Sequence, residues 1–105
     1  MAAPRYRQRR DANEVALLRA LEDLHVMAKP MRPPFPGWPD AMAIVAGVPH
    51  FPEFKTDRGG LTDEQVAFRE QMRRAGVAMD DFFPVLSSVD DVIAWVGRRR
   101  QELRS

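Results

Sequence analysis

The sequence predicts a small domain of the α/β class, a mixed β-sheet flanked by helices in the order α-β-β-(β)-α-β-α. Three observations lead to this class: a capping box opens an amphipathic segment near residue 11, a wholly apolar run covers residues 41–46, and a second capped helical segment follows a Gly-Gly turn. Helical segments that alternate with strand-like segments are typical of this class. The 105 residues suffice for one hydrophobic core and are too few for two.

The first helix is predicted to begin at the capping box of Asp11 and Glu14 and to reach about residue 27. Its apolar face is formed by four leucines at helical spacing, Leu17, Leu18, Leu21 and Leu24. The proline-rich segment 29–39 excludes a helix and allows only a short edge strand. Residues 41–46 are apolar on both faces and predict a buried strand.

The second half of the chain predicts a strand over residues 50–55, then a helix that Thr62 caps and that ends before Gly76 in the left-handed conformation. Residues 77–86 predict another strand, interrupted by two aspartates and a proline. Ser88 or the serine before it is expected to cap the final helix.

Positive charge is concentrated at the two ends of the chain. The net charge is +1, but residues 11–97 hold eight basic and 14 acidic side chains. We therefore predict a basic disordered arm over residues 1–10, a folded domain over 11–97 and a basic C-terminal tail over 98–105. The candidate phosphate contacts are Arg5, Arg7, Arg9, Arg10, Arg58, Arg98, Arg99 and Arg100. Such arginines can hold DNA, or can simply be solvated.

Cysteine is absent, which excludes disulfides, thiolate nucleophiles and cysteine-type zinc sites. This composition fits a reducing compartment, so a cytoplasmic location is expected. There is no apolar run long enough to cross a bilayer and no apolar segment of a secretory signal, so no membrane partner is expected. The two histidines are too far apart in sequence to predict a zinc site.

The candidate chemistry lies in Asp40, Glu53 and Lys55. Asp40 stands at the mouth of the first buried strand and Glu53 on the next, so their carboxylates can converge at one end of the sheet if these strands pair. Lys55 shares a strand face with Glu53, because side chains alternate with a period of two. Carboxylates are ligands that Mg²⁺ prefers, and a metal beside an ammonium group suits phosphodiester hydrolysis.

Two polar residues face inward near the starts of the helices. Gln65 lies on the apolar side of its helix, and Glu14 lies one turn ahead of the first leucines. Each candidate also has a plainer interpretation: Asp40 as a turn residue, Glu14 as a helix cap, and Glu53 with Lys55 as a solvated pair on a strand. Trp38 is interpreted as a packing residue, with stacking on a flipped base as the alternative.

The order of five segments, Gly37-Trp-Pro-Asp40, Glu53-Phe-Lys55, Gly60-Leu-Thr-Asp-Glu-Gln65, Gly76-Val77 and Ser88-Val-Asp-Asp91, resembles the virus-type replication-repair nuclease (VRR-NUC) domain. That domain belongs to the PD-(D/E)xK nuclease superfamily, and the resemblance covers about residues 11–97. It implies a restriction-endonuclease-like core and an endonuclease, dependent on Mg²⁺ or Mn²⁺, that acts as a homodimer on branched DNA such as four-way junctions.

By motif position, the resemblance assigns Asp40 and Glu53 as metal ligands, Lys55 as the catalytic lysine, Gln65 as a supporting residue and Glu14 as the acid of the first helix. Pro52 directly before Glu53 and the irregular segment 77–86 depart from the family pattern. They motivate an alternative from a different class, a nuclease-fold protein that binds DNA or a protein partner without cutting. A partner-binding domain with accidental motif matches is the third interpretation.

Overall fold

The computed structural model describes residues 12–55 and 60–104 and has the mixed α/β architecture that the sequence predicts. The elements in chain order are α1 (Ala12–Asp23), β1 (Met27–Pro30), β2 (Ala41–Val45), β3 (Val48–His50), β4 (Glu53–Phe54), α2 (Asp63–Arg74), α3 (Met79–Phe82), β5 (Val85–Leu86) and α4 (Val89–Arg104). The predictions for the basic arm over residues 1–10, for Asp11 as a cap and for Arg58 lie outside the described residues. Across the described ranges, none of the helices is long and apolar enough to cross a membrane.

Strands β1, β2 and β3 form an antiparallel sheet in that order. Ala28 lies opposite Ala43, and Val45 lies opposite Val48 across a tight two-residue turn. Ala46 and Gly47 make that turn with φ angles of 51° and 80°, the two positive values that a type I′ hairpin requires. Strand β1 pairs only with β2 in the described part of the sheet, and its last two residues lie in the proline-rich segment, where only a short edge strand is allowed.

Pro52 divides the strand predicted over residues 50–55 into β3 and β4. Beyond Pro52, whose carbonyl still accepts from the Ala41 amide of β2 at 3.3 Å, the chain runs parallel to β5. The amides of alternate residues donate to the facing chain: Phe51 to Phe82 O (2.7 Å), Glu53 to Pro84 O (2.8 Å) and Lys55 to Leu86 O (3.0 Å). Because Pro52 stands at an intervening position, its missing N–H removes no hydrogen bond from this ladder.

The core lies between the antiparallel sheet and the pair of helices α1 and α4, which pack against each other. Leu17 and Leu21 of α1 are fully buried, as the leucine spacing predicts, and Ala43 and Val45 contribute the apolar face of β2. The side chains that α4 adds to this core are Val92, Trp95 and Val96. Burial of these apolar groups is the main favourable term in holding the sheet and the two helices together.

Two element boundaries differ from the prediction. Helix α1 ends at Asp23 rather than near residue 27, because His25 adopts a left-handed φ of 62° and the chain enters β1. The strand predicted over residues 77–86 is wrong in extent: a short helix, α3, takes up four of these residues, and only Val85 and Leu86 form a strand. Asp80 and Asp81 lie in the first turn of α3, where carboxylates are favourable.

The predicted helix signals around α2 and α4 are confirmed. Thr62 and Gln65 form a reciprocal capping box at the start of α2. Gly76 ends α2 with φ 96°, and the following amide of Val77 donates to Met72 O at 3.1 Å. At the start of α4, the hydroxyl of Ser88 accepts a hydrogen bond from the third residue of the helix.

The predicted C-terminal tail is a continuation of α4, which runs to Arg104. Arg99 is buried, with 4% of its surface exposed, and donates from Nε to Nε2 of the fully buried His50 at 3.2 Å. The Arg99 guanidinium also lies 4.8 Å from the centre of the Phe82 ring and bonds Glu102 at 2.9 Å. Since His50 Nδ1 lies 2.7 Å from Val48 O, the histidine is neutral, donating from Nδ1 and accepting at Nε2.

Burial lowers the pKa of His50 below its ordinary value of 6.5, and the neighbouring charge of Arg99 acts in the same direction. Backbone hydrogen bonds and Asp81 oppose this shift. The unfolded chain therefore binds a proton on this ring at a higher pH than the folded chain does. The stability that the neutral ring contributes is present above about pH 6.5 and is lost as the pH falls toward the lower pKa of the folded state.

We expect the free energy of unfolding to decline on acidification from pH 7 to pH 5, and His50→Asn to flatten that decline. The matched control is His25→Asn, because His25 is the only other histidine and is exposed. Asparagine also tolerates the left-handed backbone at residue 25. Urea denaturation across this pH range measures the slopes. Equal slopes in the two variants would contradict the assignment to His50.

Candidate active site

The carboxylates of Asp40 and Glu53 each accept a hydrogen bond from the backbone beside the other residue. The carboxylate of Asp40, just before β2, accepts a hydrogen bond from the Phe54 amide at 2.7 Å. The Glu53 carboxylate in turn accepts a hydrogen bond from the Asp40 amide. This reciprocal pairing places two acidic side chains side by side at the end of the sheet, as the sequence predicts.

Glu53 is almost completely buried, with 3% of its surface exposed. Burial, and after it the negative charge of Asp40, raises the pKa of its carboxyl group from 4.5 to about 8. Arg69 and the hydrogen bonds from the Asp40 amide and from Gln65 oppose this rise. A buried carboxyl that is protonated at neutral pH and loses its proton when a cation arrives is typical of a functional site.

Gln65 serves both the helix and the carboxylate pair. Its Oε1 accepts a hydrogen bond from the Thr62 amide at 2.8 Å, which completes the capping box of α2. Its Nε2 donates to Oε2 of Glu53. The inward orientation predicted for Gln65 is therefore what the structure has, and the two ends of one amide group connect the helix start to the acid.

Lys55 directly follows β4, two residues after Glu53, and is half-buried. Its backbone is fixed on both sides: its amide donates to Leu86 O, and its carbonyl accepts from Nδ2 of Asn13 at 2.9 Å. The same Asn13 amide donates to Ser87 O at 3.2 Å. Asn13, which sequence reasoning missed, thus joins the start of α1 to the ends of β4 and β5.

Glu14 lies half-buried in the first turn of α1, beside this junction. In the described ranges, no group of three or more histidine, aspartate or glutamate side chains is close enough to hold a metal ion. The assignment of Glu14 as a metal ligand stays a prediction.

Arg69 is a second residue that sequence reasoning missed. It lies four residues after Gln65 on α2, so both side chains project from the same face of the helix. Its Nη1 donates to Phe83 O at 2.7 Å, and its charge lowers the pKa of Glu53. The i, i+4 spacing from Gln65 was the available signal for this cation beside the carboxylates.

The loop before Asp40 packs closely on the start of α2. Gly37 has φ 96°, and a Cβ placed there would lie 2.5 Å from the Glu64 carbonyl oxygen. Only glycine satisfies both the backbone angle and this contact. Beside it, the rings of Phe35, Trp38 and Phe68 contact one another with centroids 5.3–5.7 Å apart. This aromatic cluster joins the loop to the helix that carries Gln65.

The arginines predicted to contact DNA at the C-terminal end have intramolecular partners instead. Arg99 is the buried partner of His50, so the prediction that it binds phosphate is wrong. Arg98 bonds the Asp81 carboxylate at 2.5 Å, and Arg100 donates to Leu24 O. These bonds secure α4 to α3 and to the end of α1, which explains why the helix continues through the predicted tail.

Asp40 and Glu53 are the residues that could hold a divalent cation. Their oxygens are hard donors, and Mg²⁺ commonly takes one or two carboxylates while keeping several waters. The raised pKa of Glu53 reflects burial first and the nearby charge of Asp40 second, and a bound cation would favour the ionised form against both. The donor set is thus the right kind for Mg²⁺ or Mn²⁺, and Glu53 must release its proton to take part.

Comparison of the chain with protein-family models, with curated proteins and with solved structures finds no match. The functional interpretation of the site therefore depends on its own geometry and electrostatics.

We expect Glu53→Gln to stabilise the metal-free protein at alkaline pH. Because the pKa of Glu53 is raised in the folded state, its contribution to stability is complete below about pH 4.5 and is lost as the pH rises through about 8. The amide of the variant carries no charge to bury. Thermal unfolding in EDTA should show a Tm gain of about 4 °C or more at pH 9, which corresponds to about 1 kcal/mol, and little gain at pH 5.

The matched control for this experiment is Glu22→Gln, which changes an exposed carboxylate on α1. Its Tm should follow that of the unmodified chain at every pH. A gain at pH 9 that is the same for both variants would show that burial of Glu53 is not the cause.

Proposed function

We propose that this protein is a divalent-metal-dependent, structure-specific DNA endonuclease that hydrolyses phosphodiester bonds, with branched DNA such as four-way junctions as its substrate. The observation that carries the proposal is the convergence of Asp40 and Glu53. Each carboxylate accepts a hydrogen bond from the backbone beside the other, and burial and Asp40 raise the pKa of Glu53 to about 8. Paired acids of this kind are what a phosphodiesterase uses to hold its cation.

The order of elements supports a restriction-endonuclease-like core as part of the same proposal. A helix precedes an antiparallel three-stranded sheet, and the chain then continues into a strand that runs parallel to β5 beyond α2. Asp40 and Glu53 lie where the antiparallel sheet of β1, β2 and β3 meets the parallel pair of β4 and β5. Lys55 follows at the spacing of the family motif that the sequence resembles.

In the proposed reaction, Asp40 and ionised Glu53 would hold the cation, and Gln65 keeps the Glu53 carboxylate oriented from the start of α2. The cation, when bound, neutralises charge on the scissile phosphate and makes its bound water more acidic. Lys55 is assigned the role of orienting the attacking water or contacting the phosphate. Asn13 fixes the Lys55 backbone, so that the lysine side chain starts from a defined position at the end of the sheet.

Cleavage assays with linear duplex, flapped and four-way DNA should show cutting that requires Mg²⁺ or Mn²⁺. We expect Asp40→Asn, Glu53→Gln and Lys55→Ala each to lower the rate by about 100-fold or more, the size typical of a lost acid–base or charge-stabilising group. Glu22→Gln serves as the control and should retain full activity. Cleavage that persists at the same rate in the Lys55 and Asp40 variants would contradict the assignment.

One observation favours a second candidate, a nuclease-fold protein that binds DNA or a protein partner without cutting. Glu53 already has hydrogen-bond partners in the Asp40 amide and Gln65, and its raised pKa favours the neutral acid at pH 7. Calorimetry separates the two candidates. Magnesium or manganese binding with proton release supports the enzyme, whereas salt-sensitive DNA binding without any effect of the metal supports the second candidate.

The proposal includes a homodimer that acts in the cytoplasm. A two-fold dimer would present two equivalent sites to a branched substrate, which one domain of 105 residues has little surface to hold. Sedimentation equilibrium at assay concentrations should therefore give about twice the chain mass of 12.0 kDa. A single species of 12.0 kDa that still cuts both strands of a junction would contradict the dimer.

A further inference from the structure

We infer that Phe35 is a stacking platform for an unpaired nucleobase next to the candidate active site, so that the preferred substrate has single-stranded nucleotides at the point of cutting. This inference rests on the proposed function and narrows its substrate class. It arises from the aromatic cluster of Phe35, Trp38 and Phe68, in which the three rings differ in how open they are to solvent.

Phe35 is the open member of the cluster, with 45% of its surface exposed. Its contacts with Trp38 and Phe68 are both of the edge type, with interplanar angles of 85° and 61°. Neither neighbour therefore lies flat on the Phe35 ring. A large aromatic side chain left this exposed, while anchored on two other rings, has the form of a ready stacking surface.

Trp38 has the opposite role. It is half-buried, it contacts both Phe35 and Phe68, and its Nε1 is buried without an acceptor among the described residues. Trp38 thus packs between the edge of Phe35 and Phe68 and helps to hold Phe35 in place. We therefore assign base stacking, which the sequence suggested as an alternative role for Trp38, to Phe35, three residues earlier in the same loop.

The platform is fixed relative to the carboxylates. Gln65 bonds Glu53, and Phe68 follows Gln65 by three residues, a rise of about 4.5 Å along α2. Phe68 in turn contacts Phe35 with the ring centroids 5.7 Å apart. The close approach of Gly37 to Glu64 holds the loop on the same helix end. A base on Phe35 would therefore belong to a nucleotide near the phosphate that a cation at Asp40 and Glu53 would contact.

The charge of the loop favours a nucleic acid over an apolar partner. Residues 27–39 contain two basic residues, Lys29 and Arg32, and no acidic one, although the rest of the folded domain is acidic. Both basic side chains are exposed. An exposed ring with exposed cations close to it in sequence is a combination with which proteins hold single strands, the ring taking the base and the cations the phosphates.

The experiment measures binding and cleavage separately. A single-stranded oligonucleotide that contains one 2-aminopurine, and its fully paired duplex, are titrated with the full chain in EDTA. We expect fluorescence quenching with the single strand, and Phe35→Ala to weaken single-strand affinity roughly 5-fold to 150-fold while changing duplex affinity less than about 2-fold. Phe35→Trp should retain quenching. Ile93→Ala, which removes an equally exposed apolar side chain on α4, is the control.

Phe35→Leu guards against a packing effect, since leucine still covers Trp38 and Phe68 but offers no ring. It should lose quenching as the alanine variant does. Unchanged single-strand affinity and quenching in both variants would overturn the inference, whether or not the protein cuts DNA. Quenching that depends on Phe35 in a protein that cuts no substrate would instead support the inference and count against the endonuclease proposal.

Discussion

The reciprocal hydrogen bonds between Asp40 and the segment Glu53–Phe54 are the constraint on which the arrangement of the molecule depends. They join the beginning of β2 to the strand that follows β3, at the point where the chain passes from the antiparallel sheet to its parallel partner β5. They reinforce a backbone hydrogen bond at the same place, from the Ala41 amide to Pro52 O at 3.3 Å. The same contacts that close the fold bring two carboxylates together, so the scaffold and the site have a common origin.

Closeness of like charges has an energetic cost that the surroundings partly offset. Burial and Asp40 favour the neutral form of Glu53, while the Asp40 amide, Gln65 and Arg69 favour the charged form. Opposing influences of this kind keep the pKa of a buried acid near physiological pH, where a modest change in the surroundings moves the proton. A second polar cluster, His50 with Arg99, lies in the interior, where the hydrogen bond between the two side chains joins β3 to α4.

Much of this organisation could be predicted from local sequence signals. The capping box at Thr62, the left-handed Gly76 and the leucine spacing of α1 each depend on residues close in the chain, and each is confirmed. The errors have a common cause in contacts distant in sequence. Arg99 looked like part of a solvated tail because its partner His50 is 49 residues away. Asn13 and Arg69 were missed because their acceptors, Lys55 and Phe83, become neighbours only in the folded chain.

Because the Gln65 side chain bonds both the helix cap and Glu53, the hydrogen bonds at the beginning of α2 depend on the state of the Glu53 carboxyl group. One end of the amide closes the helix cap at Thr62, and the other end contacts Glu53. A change at Glu53 that pulls or releases this amide must also alter the hydrogen bond to the Thr62 backbone. Proton exchange at that single backbone amide would then follow the charge state of a carboxylate buried in another part of the fold. Events at the carboxylate pair can thereby loosen or tighten a helix end on the protein surface.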